Sequence, residues 1–544
     1  MKHSQTPGTT SRGSRESVGV QGQVSATGTG GGLHFPRSAL VFVLVVGALT
    51  LLVCLLVAGR AVVLGIADEW VWQYHEGWGR GLTTEIRLPL GLFVVFLILV
   101  WYLATSKTAL AGWDREVLAV VLLVVAALLF QVASGSIYAG LGQDVLVVTQ
   151  ESVGGYFGLS EEIVSPRAFL EGYPRLLATR RPVGHLNTHP PGNTMYFYLL
   201  RRFFETSPDL ARQVTALETP SMSGPHGAFA LVESQRLVVL SFAERAAVFV
   251  GALLCRLGAV LVVVPLYLLG RWSLGKRQAV WVAALGVSIP AVLVFLPGFD
   301  AVYPTGAAAV AALMVAALVW RSQVLAFLAG AVLYGVMVFT PVMAVVVVAV
   351  LLWYVLARRS DWGRRLTRGP GQAPLSLVAV TGLLGFAVPL AAAWLLLHFD
   401  AISTWWQCLA SNARFNRVTG RSYFPWVLYN PVDFLMFLGV GLSGLLVVAV
   451  AGLVRRVRSW RRWDPLSLGL GVYVLVLVLL NLSGANAGEV ARLWMFLMPG
   501  AALLAVPALE RFKPAGSRVI LVVLLCQALQ AFLFKLYLNV LFIT

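Results

Sequence analysis

The sequence predicts an all-α polytopic membrane protein, with about thirteen transmembrane helices and a large extracytoplasmic loop carrying juxtamembrane helices. Three observations predict it. Hydrophobic residues make up 58% of the 544-residue chain and charged residues only 12%, too apolar a balance for a water-soluble globule. Apolar runs close to the roughly 20 residues needed to cross the hydrocarbon layer recur from one end to the other. The Lys and Arg residues behind the net charge of +17 fall in short runs between those stretches. There they act as topology signals, and no nucleic-acid partner is read from them.

Residues 1–37 are rich in Gly, Ser and Thr and lack an apolar run, so they are expected to be a disordered cytoplasmic tail. The apolar runs follow at 39–59, 88–105, 116–134, 246–270, 278–297, 304–320, 324–340, 341–357, 375–397, 433–454, 466–482, 492–509 and 518–541. If the N-terminus is cytoplasmic, alternate connections should be basic. They are: Lys107 and Arg115; Arg271, Lys276 and Arg277; Arg321; Arg358, Arg359, Arg364, Arg365 and Arg368; Arg455 to Arg462; Arg511, Lys513 and Arg518. The long connections 60–87, 135–245 and 398–432, with the short 483–491, then share the extracytoplasmic face, where long loops rich in aromatics suggest function. Cys54, Cys255, Cys408 and Cys526 are far apart and read as packing residues.

Chemistry-bearing residues concentrate in those outer segments. Asp144 and Glu151 follow a helix exit, where a carboxylate under aromatic cover suits a general base; Glu161 and Glu162 read as solvated loop charges. In "NTHPPG", Asn187 to Gly192, two prolines force an extended corner and Gly192 releases the chain into "NTMYFYLLRRFF", an interfacial helix. His185 and His189 have a helical ligand spacing that the prolines contradict, so no metal site is assigned, and His189 is expected either to donate to a phosphate or sugar oxygen or to serve as a structural cap. Asp300 ends a span. Arg414, Arg417 and Arg421 lie among Trp, Tyr and Phe, as in a phosphate and sugar site or an interfacial belt. Glu489 and Arg492 stand one helical turn apart at the mouth of a span, where they either simply pair with each other or, since Arg492 is at membrane depth, serve function. Asp68 and Glu69 form a second acidic pair beyond the first span, and Arg256 is an intramembrane charge without an assigned role.

The pattern resembles the C-type (GT-C) superfamily of integral-membrane glycosyltransferases, which includes protein mannosyltransferases and aminoarabinose transferases. The likeness rests on an acidic residue in a large outer loop, the "HPPG" of His189 to Gly192, and "GEVARLW", Gly488 to Trp494. It divides the chain into the tail 1–37, an N-terminal hairpin 38–115, a core 116–510 that includes the outer loop 135–245, and a last helix 511–544. What the resemblance implies is transfer of a sugar from a polyprenyl-phosphate donor to an extracytoplasmic acceptor (glycan, lipid or protein) at a membrane-lipid interface. Asp144 or Glu151 would be the base, with Asp68 as the outside candidate. His189, Arg414, Arg417, Glu489 and Arg492 would hold the donor, and a divalent metal ion is compatible with the scheme. The rival reading is a polytopic transporter or lipid flippase, which would bind near the bilayer midplane.

Overall fold

The computed structural model describes residues 35–75, 86–137, 140–150, 155–179, 185–361 and 373–541. Glu151, the 1–34 part of the tail, and Arg364, Arg365 and Arg368 lie outside the described residues. From Pro36 onward the chain is one compact unit, so the boundaries expected near 115 and 510 fall within a single body.

The helices, in chain order, begin with α1 (Arg37–Ala58), α2 (Arg87–Thr105) and α3 (Trp113–Ser134). Short helices follow: α4 (Gly142–Thr149), α5 (Tyr156–Glu161), α6 (Pro166–Thr179), α7 (Gly192–Glu205), α8 (Pro208–Thr215), α9 (Pro220–Ser223) and α10 (Ala228–Arg236). Then come α11 (Phe242–Val260), α12 (Val263–Leu274), α13 (Lys276–Val287), α14 (Pro290–Phe295), α15 (Tyr303–Trp320), α16 (Gln323–Met337) and α17 (Ala344–Arg359). The chain continues through α18 (Leu375–Leu397), α19 (Ala401–Val418), α20 (Tyr423–Leu438), α21 (Val440–Val454) and α22 (Pro465–Leu482). It ends with α23 (Val490–Leu493), α24 (Met498–Ala505) and α25 (Gly516–Tyr537).

Among the described residues ten helices are long and apolar enough to cross a membrane, or up to eleven if the bent pair α20 and α21 is one span. The expectation of about thirteen counted two further runs that the fold shortens. The 278–297 run is broken into α13 and α14, because Pro290 has no N–H to continue the ladder. The 324–340 run becomes the 15-residue α16, about 22 Å long and short of a full crossing.

The bend of 116° between α20 and α21 lies at Gly439, whose φ of +98° belongs to the left-handed region. Breaking a helix among apolar neighbours leaves backbone groups without partners, and these must be satisfied internally. Two fully buried glutamines of α25 do so. Gln530 accepts from Val440 N at 2.9 Å and donates to the Met436 carbonyl at 2.6 Å, while Gln527 donates to the Leu438 carbonyl at 3.4 Å.

Two ends of the bundle differ in chemistry. At one, Glu116 at the start of α3 is bridged by Arg271 of α12 and by Lys276 of α13, the latter at 2.6 Å. Polar residues from several loops gather at the other. There β1 (Gly65–Ile66) pairs antiparallel with β2 (Trp70–Val71), and β3 (Gln73–Tyr74) pairs with β4 (Leu538–Asn539) beyond α25. The first loop is thereby tied to the end of the last helix.

Candidate functional site

The site grows from an unusual turn. Gly488 and Glu489 both have positive φ, +88° and +58°, and for Glu489 this is a conformation that surrounding contacts must enforce. Asp433 of α20, fully buried, supplies part of that enforcement: one oxygen accepts from Ala491 N at 3.0 Å and the other from Trp72 Nε1 at 2.8 Å. Glu69 of the first loop fixes the start of the same helix, accepting from Ser422 N at 2.8 Å and Trp426 Nε1 at 2.7 Å. The loop of the N-terminal hairpin is therefore a wall of the site. Asp68, beside it, is exposed and has a φ of +67°.

The turn aims Glu489 between two arginines. Its carboxylate accepts from Arg421 Nη2 at 2.7 Å and from Arg492 Nη2 at 2.6 Å. Arg421 also donates to the Ala487 carbonyl at 2.7 Å and lies 5.2–6.0 Å from the ring centres of Phe415, Trp70 and Trp426. Arg492 reaches the other way, its Nε 3.5 Å from an oxygen of Asp300. Glu489 and Arg492 are each 5% exposed, whereas the Asp300 side chain is 21% exposed. Asp300 is thus the most accessible carboxylate of this chain of charges.

The proline corner arrives beside Asp300, and it is less extended than expected: His185–Thr188 form a 3-10 turn and Pro191, at φ −69° and ψ −6°, is already helical and leads into α7. Gly192 N donates to the Val338 carbonyl at 3.0 Å, and a Cβ at that position would lie only 2.5 Å from the same oxygen, so the close approach requires glycine. His189 Nδ1 lies 3.2 Å from both the Phe339 carbonyl and the Tyr303 hydroxyl. The Phe339 carbonyl only accepts, so the neutral tautomer that satisfies it carries its proton on Nδ1 and leaves Nε2 as an acceptor. The donor role expected for His189 would need a second proton. Burial opposes that proton and lowers the pKa of His189; Asp300 acts against this shift and Arg492 with it. Burial, and then Asp300, raise the pKa of Tyr156, whose ring meets the His189 ring edge-on at 6.0 Å. A cavity of about 30 Å³ lies between Asp300, Tyr303, Tyr156 and the α4 residues Val147 and Val148, room for a group of water size.

Glu489 and Arg492 are therefore joined to Asp300 and Arg421, and His189 lies within electrostatic reach of Asp300 and Arg492. Asp144 does not face them. On α4 its two oxygens accept from Arg256 Nε at 2.7 Å and Nη2 at 2.5 Å, in a pair where Arg256 is fully buried and also donates to the Gln131 carbonyl at 2.8 Å. Buried Lys535 of α25 is close enough to feel both charges. Arg414 donates to Ser411 and Arg417 to the Ala413 carbonyl, both within α19. Glu161 pairs with Arg236. The residues that sequence reasoning left without a part are Asp433, Trp72, Tyr303 and Asn193, whose amide donates to the Tyr303 hydroxyl at 3.2 Å; an aspartate within "YNPVDFLMFLG" is the one local signal, since a charge in an apolar helix needs a partner. Among the described residues no group of three or more His, Cys, Asp or Glu could hold a metal ion.

The buried imidazoles carry a pH prediction. Burial, with Lys535 next, pushes His75 of the first loop down to about 4, and His189 moves in the same direction. The unfolded chain takes up protons near pH 6.5 that the folded chain refuses, so stability is complete above that value and falls as the pH drops below it. Thermal melting is expected to show a midpoint that declines from pH 6.5 toward 4, with a smaller slope in His75→Phe. An equal slope in both chains contradicts the assignment.

Comparison with protein-family models, with curated proteins and with solved structures finds no match to this chain.

Proposed function

We propose that the protein is an integral-membrane glycosyltransferase that moves a sugar from a polyprenyl-phosphate-linked donor to an acceptor hydroxyl on the extracytoplasmic side. The observation that carries this reading is the buried chain Arg421–Glu489–Arg492–Asp300, whose Asp300 end lines a cavity the size of one hydroxyl together with Tyr156 and Tyr303, the two rings that His189 packs against. Its end of the bundle lies opposite the Arg271 and Lys276 end, which the positive-inside tendency assigns to the cytoplasm.

In this mechanism the acceptor hydroxyl occupies the small cavity and gives its proton to Asp300. Its oxygen attacks the anomeric carbon, the bond from that carbon to the phosphate oxygen breaks, and the electron pair leaves with the lipid phosphate. Arg492 stabilises the phosphate by charge-assisted hydrogen bonds. Neutral His189 accepts from a sugar hydroxyl through Nε2. Asp300 takes the base role first given to Asp144 or Glu151, because both Asp144 oxygens are occupied by Arg256.

Release of polyprenyl phosphate by the full chain in proteoliposomes, on adding acceptor, is the direct test. Asp300→Asn is expected to slow it about 100-fold or more, the usual contribution of a positioned base. An unchanged rate in that variant removes Asp300 from the mechanism.

A second reading, a transporter or flippase, draws on the buried Arg256, Asp144 and Lys535 group and on the span broken at Gly439. Uptake of labelled solute without release of lipid phosphate favours it.

A further inference from the structure

A larger cavity adjoins the charge chain on the side away from Asp300. It measures about 550 Å³ and lies between the end of α19, the start of α20 and the 483–487 segment. Its size falls within the range of small-ligand sites. Asn416, Arg417, Arg421, Tyr423, Trp426 and Asn486 line it, and among the described residues no carboxylate does.

The walls are built rather than incidental. Asn412 and Asn416 both donate to the Ala485 carbonyl at 2.8 Å, and the Tyr423 hydroxyl donates to the Leu482 carbonyl at 2.7 Å. These bonds hold the 483–487 segment against two helices. The side chain of Arg421 is 4% exposed, and with both terminal nitrogens engaged its buried Nε has no partner among the described residues. A buried donor left unsatisfied calls for an acceptor. Arg417 spends only its Nε on its own helix.

We infer that this cavity binds a saccharide residue carrying an anionic group, either a carboxylate or a phosphate. Flat aromatic faces and side-chain amides are the chemistry that receives a sugar ring, and the Nε of Arg421 and the terminal nitrogens of Arg417 are donors for anionic oxygens. Arg421 joins the cavity to Glu489 and hence to Arg492. Occupation of the cavity is thereby sensed at the reaction centre. Assigning the bound residue to the acceptor rests on the glycosyltransferase reading; the binding itself does not.

The test is saturation-transfer NMR on the full chain in nanodiscs, with glucuronate, glucose 6-phosphate and glucose as probes. At least one anionic probe is expected to bind 10-fold or more tightly than glucose, and which one does identifies the anion. Arg417→Gln, a change at an exposed helix position, is expected to erase that preference. Ala413→Phe, which fills the cavity from α19, is expected to abolish binding of the favoured probe. Equal binding of glucose and both anionic probes, or anion binding that survives Ala413→Phe unchanged, overturns the proposal. Anion binding in a chain that releases no lipid phosphate leaves the cavity standing and removes the transferase; release without anion binding does the reverse.

Discussion

On the proposed transferase reading, Arg492→Lys is expected to lower release of polyprenyl phosphate by about 100- to 1,000-fold, the usual cost of losing one preorganised donor to a developing charge. The guanidinium reaches two carboxylates at once, Glu489 through Nη2 at 2.6 Å and Asp300 through Nε at 3.5 Å. An ammonium is a single point of charge on a flexible stem and cannot reproduce that fork. The substitution keeps the charge, so the buried Glu489 retains a cation nearby and Arg421 still donates to it. The variant is therefore expected to melt close to the parent while the rate falls. A rate within threefold of the parent, in a chain that melts normally, means that Arg492 does not touch the leaving group.

The second large effect concerns stability. Asp144→Asn leaves the guanidinium of Arg256 buried beside Lys535 without its counter-charge, and breaking a buried pair in this way typically costs about 3–5 kcal/mol. A smaller loss is expected for Arg256→Met, because Lys535 remains as a cation near Asp144. Combining Asp144→Leu with Arg256→Met removes one charge of each sign, so the group's net charge stays as it was, with Lys535 the remaining cation. Such exchanges for apolar residues are often neutral. The double variant is expected to recover most of the lost melting temperature and to keep sugar transfer. Asp144→Asn that melts normally but fails in transfer would return the base role to Asp144.

These two predictions separate residues that looked alike in the sequence. Asp144 and Asp300 both stand where a helix leaves an apolar stretch, and nothing local distinguishes them. What distinguishes them is a partner: Arg256 lies on α11, 112 positions from Asp144, while Asp300 keeps a partly exposed edge beside Arg492. Arg414, Arg417 and Arg421 were equally ambiguous. Of the three, Arg421 alone is joined to Glu489 among the described contacts, because it precedes the turn into α20 and faces the Ala487 carbonyl.

The sequence by itself determined that this is a helical membrane protein. The length and apolarity of a span, the proline corner before α7 and the basic connections are properties of contiguous residues, readable without knowing what packs against them. It also marked Glu489, Arg492 and His189. Only the tertiary structure decided which charges meet, that Glu69 and Asp433 brace the Glu489 turn from distant segments, and that the break at Gly439 is closed by glutamines of the last helix. The physical reason is that a charge or backbone group removed from water must find a partner, and in a bundle of apolar helices that partner is chosen by packing and not by neighbourhood in the chain.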